Sequence, residues 1–97
     1  MKLLIASAAE SEIAEAVRHY ERQSPGLGCD LLTEFEAAVR RIIDHPVAWR
    51  RIGPNSRRCL LRRFPYGIVY AIQGDIITVT AFMALRRDPQ NWDERID

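Results

Sequence analysis

Gly74-Asp75 is the punctuation that most restricts what this chain can fold into. PYGIVYAIQ (residues 65–73) runs up to it, and IITVTAFMA (residues 76–84) leaves it. Both runs are rich in β-branched and aromatic residues, as strands are. A glycine at the first central position of a two-residue turn supplies the positive φ that the twist of a hairpin requires. The runs are therefore predicted to be antiparallel strands, and the turn sets their register. Gln73 falls opposite Ile76, Tyr70 opposite Val79, Ile68 opposite Ala81 and Gly67 opposite Phe82. One face then holds Tyr66, Ile68, Tyr70, Ile72, Ile77, Val79, Ala81 and Met83. The other holds Gly67, Val69, Ala71, Ile76, Thr78, Thr80, Phe82 and Ala84. The first is larger and more apolar, so it is expected to carry the core, leaving the second partly open.

A core face needs a cover, and the N-terminal half supplies one. Lys2 to Ala6 reads as a short strand. Ser7 opens SAAE, a capping-box pattern in which the hydroxyl accepts an orphan N–H and Glu10 reaches back. Ile13, Ala16, Val17 and Tyr20 follow at helical spacing, and this helix is expected to end near Gln23. In SPGLG, Ser24 is a candidate cap for a second helix, with Pro25 at its first position. Gly26 and Gly28 weaken that first turn, which argues for a later start. Leu27, Leu31, Leu32, Phe35, Val39, Ile42 and Ile43 then form an apolar stripe that closes at Asp44-His45-Pro46. Two amphipathic helices with so short a link fold back as an antiparallel hairpin. VAWRRIGPNS reads as a loop, Arg57 to Arg63 as a strand, and Asp88-Pro89 as the cap of a short final helix carrying Trp92 and Ile96. The expected fold is α+β, in the order β-α-α-β-β-β with a C-terminal helical turn. The helical hairpin packs on one face of a small, antiparallel-dominated sheet.

Ninety-seven residues suffice for one domain, residues 1–97. No run of about 18 apolar residues occurs, so no transmembrane helix is expected. The start, MKLLIASAAESE, is read as strand and helix and not as a secretory leader, because Glu10 interrupts the apolar part. The expected location is the cytoplasm. Cys29 and Cys59 have no metal-ligand spacing and are read as two small, buried or half-buried thiols. His19 and His45 stand alone, so no metal site is expected, and no glycine-rich phosphate loop points to a nucleotide cofactor. Trp49 is read as a packing anchor.

Charge is unevenly placed. Residues 1–49 hold five basic and eight acidic residues, a net −3, while residues 50–97 hold nine arginines and five acids, a net +4. Arginine's planar fork suits carboxylates and phosphates held bidentately. Arg57, Arg58, Arg62 and Arg63 are expected at the two ends of one strand, and Arg86 and Arg87 just past the last one. With Tyr66 or Trp92 nearby, such a set could hold an RNA backbone and stack its bases. It could equally bind an acidic polypeptide, or only guard strand edges against pairing. Arg57 and Arg58 could simply solvate the start of the strand. No serine or cysteine sits in a nucleophile elbow, so the residues by themselves rank binding above catalysis.

AEAVRHYERQSPGLGCDLLTEFEAAVRRIIDHPVAW, LLRRFPYGIVYAI and LRRDPQNW, in that order, resemble the RelE/ParE superfamily of bacterial type II toxin–antitoxin toxins, often labelled plasmid stabilisation proteins. The resemblance covers nearly the whole chain. It implies a helical hairpin on an antiparallel sheet, and a cognate antitoxin whose acidic or amphipathic segment wraps and neutralises the toxin. It implies one of two targets. The RelE-like branch cleaves messenger RNA in the ribosome; the ParE-like branch poisons DNA gyrase and is not itself an enzyme. RelE-like nucleases carry an arginine straight after the first strand tyrosine, where this chain has Gly67. Their second basic position matches Arg87. Their terminal-helix tyrosine falls at about Asp93, beside Trp92, and a histidine frequent two residues before the arginine pair is Ala84. The resemblance thus favours a gyrase-directed toxin that acts by binding, with Arg62, Arg63, Arg86, Arg87 and Trp92 as target-binding residues. The alternative is a ribosome-dependent endoribonuclease using Arg62, Arg63, Arg86 and Arg87. Neither reading calls for a cofactor or a membrane.

Overall fold

The structure is a computed structural model that describes residues 1–85. The order is β1 (Lys2–Ile5), α1 (Ser7–Gln23), α2 (Leu27–Asp44), β2 (Arg50–Arg51), β3 (Ser56–Leu60), β4 (Tyr66–Gln73) and β5 (Ile76–Ala84). The five strands form one sheet in the order β1-β5-β4-β3-β2. β1 runs parallel to β5, and the other pairings are antiparallel. The α+β architecture is the one expected, with α1 and α2 against one face. Two strand details differ. β2 lies inside the stretch read as a loop, and β3 ends at Leu60, so Arg62 and Arg63 occupy the turn that follows it.

Both helices bury one stripe. α1 contributes Ala9, Ile13 and Ala16; α2 contributes Gly28, Leu31, Phe35, Ala38 and Ile42. They meet Cys59, Leu61, Phe64, Ile68, Tyr70, Ile77, Val79 and Phe82 in a single core. Each fully buried side chain such as Leu31 or Ile42 contributes about 1.5–3 kcal/mol by leaving water. Leu31→Ala would cost about 2–5 kcal/mol, since the close-packed surroundings cannot collapse into the gap.

The helix starts differ from the capping signals. Ala6 is the N-cap of α1, with no side-chain cap, and Ser7 is already helical. The sheet decides this: the Ala6 N–H donates to the Val79 carbonyl at 2.9 Å, and the Ala6 carbonyl accepts from Glu10 N–H at 2.9 Å. Ser24 ends α1 instead of starting α2, and Gly26, at φ 90°, is the N-cap of α2. Its left-handed backbone folds the chain back so that Gly28 lies against α1. A Cβ on Gly28 would stand 2.8 Å from the Val17 carbonyl oxygen. The glycine that weakens the helix locally is thus what lets the two helices approach. Glu21 of α1 accepts the N–H groups of Gly26 (3.0 Å) and Gly28 (2.9 Å), filling the capping role assigned to Ser24. Those two bonds hold its carboxyl below the ordinary value of 4.5.

The β4–β5 register agrees with the turn for its first half, with Gln73 opposite Ile76 and Tyr70 opposite Val79. A bulge then intervenes. Val69 pairs with Ala81, Ile68 with Phe82 and Gly67 with Met83, so Thr80 is the extra residue. The alternation of β5 flips beyond it. Phe82 enters the core, stacking on Tyr66 at 4.7 Å and meeting Phe35 edge-on at 5.7 Å, while Met83 turns to the other face. The large phenylalanine fills the space that Ala81 could not. β1 stops at Ile5, opposite Val79, which leaves the Phe82 N–H beyond its reach. The Glu12 carboxylate takes that N–H at 2.8 Å, standing in for the missing strand. Both cysteines are free; Cys59 is buried, and Cys29 is exposed where a buried or half-buried thiol was expected. Among the described residues no helix is long and apolar enough to cross a membrane.

Candidate binding groove

The structure separates the two adjacent arginines of the turn after β3. Arg63 is tied to α2: its backbone N–H donates to Glu34 Oε1 at 3.0 Å, and its Nη2 pairs with Asp30 Oδ2 at 3.3 Å. Its guanidinium also lies 5.2 Å from the centre of the Phe64 ring. Both ends of the ion pair are about half exposed, so it adds about 0–1 kcal/mol and mainly fixes the turn. Arg62 points the other way, into a groove of about 420 Å³ lined by Arg41, Trp49, Arg50, Arg58, Leu60 and Arg62 among others.

Three elements build this groove, and register explains how. β2 pairs only with Arg57 and Arg58 of β3, so the outer edge of β3 is uncovered beyond them. Arg41 reaches across from the last turns of α2 and donates through Nη2 to the Leu60 carbonyl at 3.3 Å. Arg50 stands opposite Arg58 on β2. Three bonds from two side chains of the sheet hold the segment after α2. Tyr70 Oη donates to the Pro46 carbonyl at 2.6 Å, and Arg57 Nη1 donates to the carbonyls of Val47 (3.1 Å) and Trp49 (2.9 Å). They bring Trp49 to the groove wall, where it also packs on the core. Burial pushes the Tyr70 phenol up to about 12, with the charge of Arg57 opposing. Arg57 is thus an internal strut and not a solvating residue at a strand start.

Arg58 is also not a solvated arginine, at 9% exposed. Its aliphatic stem lies across Gly67: a Cβ there would meet Arg58 Cγ and Leu60 Cδ2, both at 3.3 Å. Gly67 is therefore buried, and the face left bare by its missing side chain is filled by the neighbouring strand. Tyr66, weighed as a base-stacking partner for the arginines, lies instead in the aromatic cluster with Phe82, Tyr20 and Phe64.

Electrostatically the groove is one-signed. No carboxylate is among its described lining residues. Burial pushes the Cys59 thiol up, and the positive fields of Arg41 and Arg62 oppose that shift, so both guanidinium fields reach the same point. Of the residues expected to bind a target, the structure places Arg62 in the groove and Arg63 against α2. Arg86, Arg87 and Trp92 lie outside the described residues, as does the final helix at Asp88-Pro89. Arg41, Trp49 and Arg50 were not singled out as one site, because only the β2–β3 pairing and the fold-back of α2 bring them together. Among the described residues no cluster of three or more His, Cys, Asp or Glu side chains is placed to hold a metal ion.

Comparison with known proteins gives a consistent likeness. The family described as "ParE toxin of type II toxin-antitoxin system, parDE" matches residues 3–89. Among solved structures, a chain of the "Chromosomal ParDE TA system from P. aeruginosa" superposes with a TM-score of 0.78 at 18% identity, over 89% of this chain and 97% of that one. At that identity the shared property is the fold. No curated protein matches the sequence.

Proposed function

This chain belongs to the ParE toxin family of type II toxin–antitoxin systems, and from that premise we propose that it arrests growth by binding a cellular target, DNA gyrase, and not by cutting RNA. Gly67 carries the reading. A nuclease of the wider superfamily would hold the phosphate there with an arginine. Here that position is a buried glycine roofed by Arg58 and Leu60, and the roofing arginine is itself only 9% exposed. Gly67 itself has no side chain to offer a phosphate, and its space is taken by the Arg58 stem and Leu60 of β3, the strand paired with β4. What the basic half does offer is Arg62 in an open groove. With Arg86, Arg87 and Trp92 we assign it to the surface that meets the target; Arg63 supports that surface through Asp30 and Glu34. A cognate antitoxin bearing an acidic segment neutralises the toxin by covering these cations.

Expression of the chain without an antitoxin tests this. Filamentation, DNA-damage signalling and intact messages are expected, together with inhibition of purified gyrase in a supercoiling assay. Rapid, codon-linked cleavage of messages would overturn the proposal in favour of a ribosome-dependent ribonuclease. Arg62→Ala and Arg87→Ala should each weaken toxicity. Unchanged toxicity in both would remove the arginine cluster from the effector surface.

A further inference from the structure

The groove beside β3 has more charge and more shape than a rim of a protein interface requires. Arg50 and Arg62 are exposed, Arg41 is half-buried, and none of the three is paired with a described carboxylate. Its volume, about 420 Å³, falls within the range of small-molecule sites, roughly 300–1,000 Å³. The wall is apolar, from Trp49, Leu60 and Leu61. One backbone donor also faces it. Leu61 N–H bonds to the Tyr66 carbonyl, so the odd-numbered residues of β3 turn their hydrogen bonds toward β4. Leu60 turns the opposite way, where β2 has run out, and its carbonyl is taken by Arg41. Its N–H therefore points at the groove beside three guanidinium groups.

The number of cations relative to the space selects the ligand class. An extended peptide crossing the groove, at about 3.3 Å per residue with alternate side chains turned away, aims only one or two carboxylates at the arginines. A single phosphate monoester already carries about −1.5 to −2 at pH 7, and a diphosphate or triphosphate chain carries more in the same space. Phosphate also matches the guanidinium fork bidentately. The apolar wall then needs an organic body, which inorganic polyphosphate lacks. We propose that the groove is a binding site for an organic polyphosphate of nucleotide size, its phosphates on Arg41, Arg50 and Arg62 and its flat body against Trp49 and Leu60. This goes beyond the growth-arrest reading and does not depend on it: the two share Arg62, but Arg41, Trp49 and Arg50 have no part in that reading, and the test needs only the purified chain.

The test is titration of the chain with AMP, ADP, ATP and inorganic tripolyphosphate by calorimetry, without divalent cations. Trp49 fluorescence is followed in parallel in a Trp92→Phe background. Affinity is expected to rise from AMP to ATP, ATP to bind more tightly than tripolyphosphate, and nucleotide to quench Trp49. Arg50→Gln and Arg62→Gln should each weaken ATP binding by about tenfold or more, the loss of one charge-assisted hydrogen-bonding partner. Arg22→Gln, exposed in the last turn of α1 and away from the groove's lining residues, should leave binding within about threefold. Circular dichroism of each variant separates lost binding from lost folding. Absence of saturable ATP binding at millimolar concentration would overturn the proposal. So would ATP binding that Arg50→Gln and Arg62→Gln leave unchanged.

Discussion

Gly28→Ala is the sharpest perturbation of the helical hairpin on which the sheet rests. The added Cβ would lie 2.8 Å from the Val17 carbonyl oxygen, 2.9 Å from Glu21 Oε1 and 3.1 Å from Val17 Cγ1. The first contact is with backbone inside α1, which no rotamer change relieves. The helices must separate by several tenths of an ångström, and that shift also stretches the 2.9 Å bond from Gly28 N–H to Glu21. Overpacking of this kind costs about 1–3 kcal/mol, and a rigid backbone neighbour puts it in the upper half of the range. Alanine's better helix propensity returns about 0.8–1.0 kcal/mol. The expected net loss is about 1–2 kcal/mol, or a fall in Tm of roughly 5–15 °C for a domain of this size. Gly53→Ala is the control, since the nearest heavy atom to its Cβ is 3.9 Å away. It should stay within about 0.5 kcal/mol of the parent. Urea unfolding followed by circular dichroism measures both. A Gly28→Ala variant as stable as the parent, or more so, would refute the close approach and leave only the propensity gain.

The other expectations concern single hydrogen bonds. Glu21 has its carboxyl lowered by the N–H groups of Gly26 and Gly28, so its contribution is full above about 4.5 and is lost as pH falls through the lowered value. The stability gap between parent and Glu21→Gln should therefore narrow on acidification from pH 6 to pH 3 in denaturant titrations; a gap constant with pH would contradict this. Tyr70→Phe leaves the Pro46 carbonyl without its 2.6 Å donor and should cost about 1–2 kcal/mol. Because burial raises the Tyr70 phenol to about 12, the parent should also lose stability as pH rises from 10 toward 12, and the phenylalanine variant should lack that loss. Glu12→Ala strands the Phe82 N–H and should cost about 1.5–3 kcal/mol, with faster hydrogen exchange at Phe82 as its local signature.

Sequence by itself determined the order of the described elements other than β2, the helical hairpin and the β4–β5 turn. These rest on signals carried by neighbours in the chain: apolar spacing at three and four, a glycine at a turn, a proline after a helix. The arginine-rich segment that placed the chain in its family was equally legible. Tertiary structure decided what depends on partners distant in sequence. The bulge at Thr80 could not be read from alternation, because Ile77, Val79, Ala81 and Met83 alternate as well as the true core set does. Only the space opposite Tyr66 and Phe35 selects Phe82. Likewise Ser7 and Ser24 have the right chemistry for caps, yet strand pairing at Ala6 and the Glu21 carboxylate displaced them. The groove is the strongest case. Arg41, Arg50 and Arg62 belong to a helix, an edge strand and a turn, and nothing local joins them. They meet because β2 ends before β3 does, and because the helical hairpin folds back along the edge it leaves open.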